Sequence, residues 1–434
     1  MVVSKGKAPS AQETFMQMAQ ASGLRGRLLV TIGMLILVRL GIFLPLPGIN
    51  RAIFAEAVKN NSVVNFLDIF SGGGLSALGI FALGIIPYIN ASIIMQLMTT
   101  ALPTLENLQK NEGEAGRRKI SQYTRYVALG WALLQSFGIS IWVQGTGAVV
   151  NPGIGFSLET MVALTAGSMF VMWAGELVTE RGVGNGASLL IFVSIVSGLP
   201  RSLGSTIALA QADSSRVGGV LLLLSIFLVM IVCIVFVQEG TRRIPIISAR
   251  RQVGRKLYRE QSSYLPLKLN QGGVMPIIFA SSVLILPSFI GQTFASNQIV
   301  ASVTSFLAPN TWGYVLFYLV LILGFSYFYS SLIVNPVDMS QNLKKMGSSV
   351  PGIRPGTATS TYLTKVLNRL TLLGAIFLGA VAIIPTAVER ATGVATFSGI
   401  GATTLLILVG VAIETSKQIQ TYVISQKYEG MVKQ

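Results

Sequence analysis

NFLDIFSGGGLSALGIFALGIIPYI, residues 65–89, is an apolar stretch that a single helix does not explain. Asn65 to Phe70 is a short apolar turn or two, followed by Ser71-Gly72-Gly73-Gly74, and a long apolar block begins only near Ala77. Each glycine in a helix interior costs about 1 kcal/mol relative to alanine, so three in a row mark a break. At membrane depth a break is tolerated only where protein shields it or where it lines a wet cavity. The stretch reads either as a half-helix, capped by Asn65 and joined by glycines to a full span, or as an outer loop leading into a span. The half-helix would make a good stopper.

The rest of the chain supplies the membrane that this reading needs. Of 434 residues 52% are apolar and only 11% charged. The apolar residues fall in blocks of the length that crosses a hydrocarbon core of ~30 Å as helix. Clear blocks cover 28–48, 122–144, 160–178, 187–208, 218–238, 313–335, 368–386 and 398–414. Two are interrupted, 77–101 by its glycine-broken start and 273–291 by Pro276 and Pro287. The expectation is an all-α polytopic membrane protein with ten transmembrane helices.

Orientation follows from the connections, because cytoplasmic loops are enriched in Lys and Arg. With the N-terminus inside, the inside segments carry 26 of the 32 Lys and Arg and the outside segments 5, Arg39 lying within the first span. Both termini are therefore expected in the cytoplasm. Ten spans divide into two sets of five, and an odd set that repeats must return inverted, an arrangement common among transport proteins. The expected organisation is an N-terminal arm 1–27, a first half 28–210, a second half 211–414 and a C-terminal tail 415–434. Within the arm Ala11, Phe15, Met18 and Ala19 recur at helical spacing, which suits a helix lying on the membrane surface as well as it suits a disordered tail.

Composition removes several function classes. There is no histidine, and the one cysteine is Cys233 in an apolar block. That leaves no His-based acid–base chemistry, no His or Cys metal site and no intrachain disulfide. No GxxxxGK[ST] phosphate loop occurs, since Gly6-Lys7 lacks the first glycine and the Ser/Thr, which disfavours an ATP-driven pump carrying its own motor. No cofactor or metal is expected. Ionisable residues at membrane depth are few: Arg39, with Glu176, Glu239 and Glu414 near span ends. Coupled small-solute carriers usually place carboxylates at mid-membrane, which disfavours that class. Asp68, Asp213 and Asp338 fall at or outside span ends, which disfavours an intramembrane aspartyl protease.

Charge concentrates instead in TRRIPIISARRQVGRK, 241–256, where Arg242, Arg243, Arg250, Arg251, Arg255 and Lys256 lie within sixteen positions. Topology needs some of them but not so many on so long a loop, and a protruding basic loop suits a phosphate-rich partner. Anionic lipid is the competing partner.

Six motifs together resemble the SecY family: FSGGGLSALGIFALGIIPYINASIIMQL (70–97), EAGRRKISQYTRY (114–126), TERGVGNGASLLIF (179–192), RRIPIISARR (242–251), LPLKLNQGGVMPIIFASS (265–282) and NLKKMGSSVPGIRPG (342–356). The resemblance runs from the first span to SQKYEG (425–430) and is weakest at the extreme N-terminus and in 145–155 and 293–312. It implies a protein-conducting channel of two inverted five-helix halves around an hourglass pore, driven by the SecA motor or by the translating ribosome. The implied plug is Asn65, Phe66, Leu67, Ile69, Phe70, Gly72, Gly73 and Gly74. The implied pore ring is Ile85, Ile89, Ile191, Ile278 and Ile407, of which spacing alone pairs Ile85 with Ile89 on one helix face. The implied lateral gate has Asn90 and Ile94 on one side and Ser281, Ser282 and Leu286 on the other. Ribosomal RNA or SecA would meet the basic residues already named together with Lys344, Lys345, Arg354 and Tyr428. The resemblance further implies SecE and SecG subunits, signal sequences and nascent polypeptides as cargo, contact with anionic lipids, and a bacterial cytoplasmic membrane, or the thylakoid membrane where one exists.

Overall fold

Two prolines shape the first turn of the fold. Helix α1 (Ser22–Gly41) is apolar, with Leu29, Ile32, Ile36 and Leu40 exposed on its outer face, yet it stops seven residues short of the end of its apolar block. Pro45 and Pro47 follow, and proline both lacks the amide donor and clashes with the preceding turn. The structure, a computed structural model, describes residues 22–50, 53–54, 57–58, 68, 71–212, 217–248, 252–253, 256–257, 262–293, 302–303, 305–307, 311–392 and 402–432. The arm helix expected around Ala11–Ala19 lies outside these residues.

Two compact units divide the chain, the first comprising Met1–Gly204 and Val411–Gln434, the second Ser205–Gly410. In the first unit α1 is followed by α2 (Ile86–Ala101), α3 (Pro103–Asn111), α4 (Gly113–Gly145), α5 (Ile154–Arg181) and most of α6 (Gly186–Ala212). Helix α4 packs against α2, α3 and α5, and α1 packs against α5. Small residues allow the close approach of α2 and α4, with Ala91, Ala128 and Met172 forming a buried cluster. Ser136 and Thr165 share a hydroxyl hydrogen bond of 3.1 Å between α4 and α5, the kind that contributes about 0.6–1.7 kcal/mol in lipid.

Residues 72–85 are not helical, which corrects the expectation of a span beginning near Ala77. They form successive turns, and α2 starts only at Ile86, with Pro87 in its first turn. Sixteen residues of α2 rise about 24 Å, less than a hydrocarbon core of ~30 Å. The reason is backbone packing on both sides. Gly79 pairs with Pro45 in a bridge, and the Ile80 amide donates to the Leu44 carbonyl at 2.9 Å. A Cβ on Gly79 would lie 2.0 Å from the Ile42 carbonyl oxygen, and one on Gly167 of α5 would lie 2.1 Å from the Ile80 carbonyl oxygen. Ser168 of α5 donates to the Gly84 carbonyl at 3.1 Å, satisfying a group that the missing helix would have used. Leu75, Leu78, Ala82 and Leu83 bury against Leu46, Phe54, Phe156 and Leu164.

The second unit starts near the end of α6 and continues as α7 (Val217–Glu239), then strands β1 (Thr241–Ser248), β2 (Gln252–Val253), β3 (Lys256–Leu257) and β4 (Ser262–Lys268). After these come α8 (Met275–Thr293), α9 (Trp312–Ile333), α10 (Pro336–Lys345), β5 (Ser348–Ser349) and α11 (Thr357–Thr392). Helix α12 (Ala402–Val432) begins in the second unit and continues in the first, running through position 415 without a break. Helices α8 and α11 pack on α9, and α7 packs on α11. Leu221, Leu228, Val232 and Phe236 of α7 are exposed, a face suited to hydrocarbon.

Among the described residues, six stretches are long and apolar enough to cross a membrane: α4, α5, the first 23 residues of α6, α7, α9 with α10, and α11 to Pro385. The four other expected spans correspond to α1, α2, α8 and α12. Their shortfall is local, since α1 carries three arginines and α2 is only sixteen residues long.

Candidate functional site

The glycine break is held by a web of short-range hydrogen bonds. Gly72 and Gly73 both have positive φ, 66° and 89°, which reverses the chain where a side chain would be strained. The Gly73 amide and the Ser71 hydroxyl both donate to the Asp68 carbonyl at 3.0 Å, and the Leu75 amide donates to Ser71 Oγ at 3.0 Å. The Ser76 amide donates to Asp68 Oδ1 at 2.8 Å, and the Arg39 guanidinium of α1 donates to the Gly72 carbonyl. Of the expected plug, Gly72, Gly73 and Gly74 are thus seen in an ordered turn, whereas Asn65, Phe66, Leu67, Ile69 and Phe70 lie outside the described residues.

Of the five isoleucines, Ile85, Ile89 and Ile191 belong to the first unit and Ile278 and Ile407 to the second. Ile85 precedes the first residue of α2, one helical turn before Ile89, whose amide donates to the Ile85 carbonyl at 3.1 Å. Ile85 is only 3% exposed and lies beside Gly175 of α5, while Ile89 is half-buried. Ile191 is 4% exposed and Ile407 1%, and Ile278 is half-buried in the first turn of α8.

Asn90 and Ile94 are half-buried on α2, and Ser282 is half-buried on α8. Ser281 is buried and donates to the Ile278 carbonyl at 2.9 Å, so its hydroxyl proton is used within its own helix. The Leu286 side chain lies outside the described residues.

The basic loop has more structure than its sequence reading assigned. Strand β1 pairs antiparallel with β4 from Thr241↔Lys268 to Ile247↔Ser262, and with β5 at Ile247↔Ser349 and Ser248↔Ser348. The three-stranded order β4-β1-β5 therefore joins the 238–270 and 336–369 connections in one sheet. Pro266 sits in edge strand β4, and Pro245 sits where β1 has a neighbour on one side only, positions at which a missing amide is tolerated. Ile244 and Leu267 turn inward onto Val350, Leu363, Val366, Leu367 and Leu370, so the base of α11 provides the core of this cap.

Charge lies on the outside of that cap. Arg242 and Arg243 are exposed, and the Arg243 guanidinium stacks over the Tyr264 ring at 4.9 Å. Lys344 and Lys345 are exposed in the last turn of α10, where cations are favoured by the helix dipole. Arg354 is exposed between Gly352 and Gly356, and its carbonyl accepts from the Thr359 hydroxyl at 2.8 Å. Ser340 donates to the Gly356 carbonyl at 2.6 Å, tying the other end of the loop to α10. Arg250, Arg251 and Arg255 lie outside the described residues, as do the side chains of Lys256 in β3 and Tyr428 in α12.

Sequence reading missed two features. One is the β-sheet, although the alternation of Arg243, Ile244, Pro245 and Ile246 carries the period of a half-buried strand. The other is an ion pair, Arg125 with Glu176 at 2.9 Å, which joins α4 to α5 and draws in a carboxylate counted only as a residue near a span end.

Comparison with known proteins adds the following. The family model described as SecY matches residues 79–416. The protein translocase subunit SecY of Synechococcus elongatus is 69% identical, covering the whole of both chains. Two solved structures share the fold at about 15% identity or less. One is a SecY protein whose plug domain stabilises the closed state of the translocation channel and maintains a membrane seal, with a TM-score of 0.62, 14% identity and 92% of both chains covered. The other is Sec61 in a canine ribosome–channel complex from the endoplasmic reticulum, with a TM-score of 0.62, 15% identity and the same coverage.

Proposed function

Because this chain belongs to the SecY family, we propose that it is the protein-conducting subunit of a translocase, passing unfolded polypeptides across a membrane and releasing apolar segments sideways into lipid. The observation that carries the reading is the glycine-hinged turn at 71–76, ordered by Asp68 and Arg39 at the start of a short second span. It supplies a compact element that can close a path and be displaced as a piece.

The residues have roles that chemistry explains. Ile85, Ile89, Ile191, Ile278 and Ile407 form the constriction. A ring that must pass any sequence should offer no fixed charge and few hydrogen-bond partners, and a narrow aliphatic ring dewets at rest. Residues 65–74 are the plug. Asn90 and Ile94 on α2, with Ser281, Ser282 and Leu286 on α8, make up the lateral gate, which sorts segments by their partition into lipid: ~20 apolar residues gain by leaving. The family is one of translocation channels, and the chain's work is conduction rather than catalysis.

Energy and cargo come from partners. The exposed cations of the sheet and its neighbours, Arg242, Arg243, Lys344, Lys345 and Arg354, with Arg250, Arg251, Arg255, Lys256 and Tyr428, receive the ribosome or the SecA motor. SecE and SecG complete the complex, and signal sequences open it. The bias of 26 Lys and Arg on one side against 5 on the other supports cytoplasmic termini in a bacterial inner or thylakoid membrane.

The test is reconstitution. Purified with its partner subunits in proteoliposomes and supplied with SecA and ATP, the protein should carry an unfolded signal-bearing polypeptide into a protease-protected lumen. Failure with an otherwise competent motor and cargo overturns the reading.

A further inference from the structure

Arg39 is a charged residue inside an apolar helix, and positive-inside topology gives it no task. A lone arginine near a helix end usually reaches out to water or lipid phosphate. This one turns inward. Its guanidinium donates to the Gly72 carbonyl, with the Asp68 carboxylate in electrostatic reach and the Phe43 ring at 5.5 Å.

The hydrogen-bond pattern explains why Gly72 needs it. In a continuous helix the amide four residues on, that of Ser76, would bond to the Gly72 carbonyl. Here the Ser76 amide goes to Asp68 Oδ1 at 2.8 Å, and the positive φ of Gly72 and Gly73 turns the chain away. The Gly72 carbonyl is left needing a donor from outside the segment, and Arg39 provides one that stays charged at any working pH. The fit is close on a second side: a Cβ on Gly72 would come within 2.8 Å of Arg39 Nη1 and 3.0 Å of Ser194 Cα on α6. One helix thus holds the hinge through charge and another through backbone contact.

We infer that Arg39 is a positioning residue for the channel's closing element, pinning the glycine hinge at Gly72 and Asp68 so that the segment stays seated until a substrate displaces it. The inference rests on the reading of residues 65–74 as the plug. Losing a hydrogen bond from a charged donor should shift the seated-to-displaced ratio about tenfold or more.

The experiment uses the assembled channel in planar bilayers and proteoliposomes, comparing wild type, Arg39→Gln, a deletion of residues 66–73, and both changes together. A second readout is the labelling rate of Leu75→Cys by a thiol reagent in a Cys233→Ser background, since Leu75 is buried beside the hinge. The expected result is higher resting ion leak and faster labelling for Arg39→Gln, with no further leak when it is added to the deletion. Arg39→Lys, which keeps charge but loses the planar fork, should fall between and serves if the Gln variant does not assemble. If the deletion raises leak while Arg39→Gln and Arg39→Lys behave as wild type, the Arg39 inference fails and the plug reading stands. If the deletion itself leaves leak unchanged, the plug reading fails and the inference goes with it. Leak that adds on top of the deletion also overturns the inference, because Arg39 would then act on the bundle rather than on the hinge.

Discussion

At the scale of single residues, the proposed constriction and the close backbone contacts of the first unit make different predictions. Replacing Ile85, Ile278 or Ile407 with a polar residue or glycine should wet the ring and raise ion conductance at rest, measured in bilayer recordings; unchanged conductance removes that residue from the ring. Substituting Gly79 or Gly167 with alanine should instead lower stability, because the new methyl meets a backbone oxygen at about 2 Å and the backbone must yield. A loss of about 1–3 kcal/mol is expected, read as a lower unfolding temperature of the detergent-solubilised complex. Neither glycine stood out in the sequence. A close approach between two backbones leaves no trace in composition, and the partners of Gly79 and Gly167 are 37 and 87 residues away in the chain. Ile85 and Ile89, by contrast, could be paired by spacing alone, though only resemblance gave them a role.

At the scale of elements, helices were easier to read than what lies between them. Blocks of twenty apolar residues announce α4, α5, α7, α9 and α11, because the length of a membrane span is set by the bilayer. The start of α2 was placed nine residues too early, since apolarity between Ala77 and Ile85 is shared by helices and by turns packed in protein. The sheet is hidden in the sequence for a different reason: β1 is charged and interrupted by Pro245, its partner β5 is only two residues long, and β4 and β5 come from separate connections. Two predictions belong here. Ile244→Asp places a charge in the cap's apolar cluster and should open the segment 241–268 to protease while the helical bundle stays intact in detergent. Charge reversal at Arg255 and Lys256 should weaken ribosome binding and lower the slope of affinity against salt by up to about two, as expected when two phosphate contacts are lost. An unchanged slope would leave these two residues as topology determinants only.

At the scale of the whole molecule, the membrane frame follows from totals that sequence gives directly: an apolar majority in long blocks and the Lys and Arg bias of the connections. Cys233 provides a check without further engineering. It is exposed on α7, a helix apolar apart from Ser225, Gln238 and Glu239, so a maleimide, which adds to a thiolate formed in water, should modify it slowly in intact vesicles and fast once the protein is denatured in detergent. In a Cys233→Ser background, Lys345→Cys should react with a charged, impermeant maleimide from the cytoplasmic face alone. Labelling from the opposite face would invert the topology. What totals could not supply was the division of labour within the chain, because hinge, ring and cap are all made from the commonest residues and differ only in what surrounds them.

The joining of two basic connections in one sheet has a further consequence. Strand β5 holds the Arg354 loop and the α10 lysines in fixed register with Arg242 and Arg243. A partner that has engaged one cluster meets the other at a high effective concentration, without the entropy of gathering two loose tethers. If the ribosome or the motor docks there as proposed, binding is an avidity effect, in which each contact is weak and exchangeable while the pair persists. Such a surface suits a dock that must hold a large machine through many steps and still let one machine give way to another.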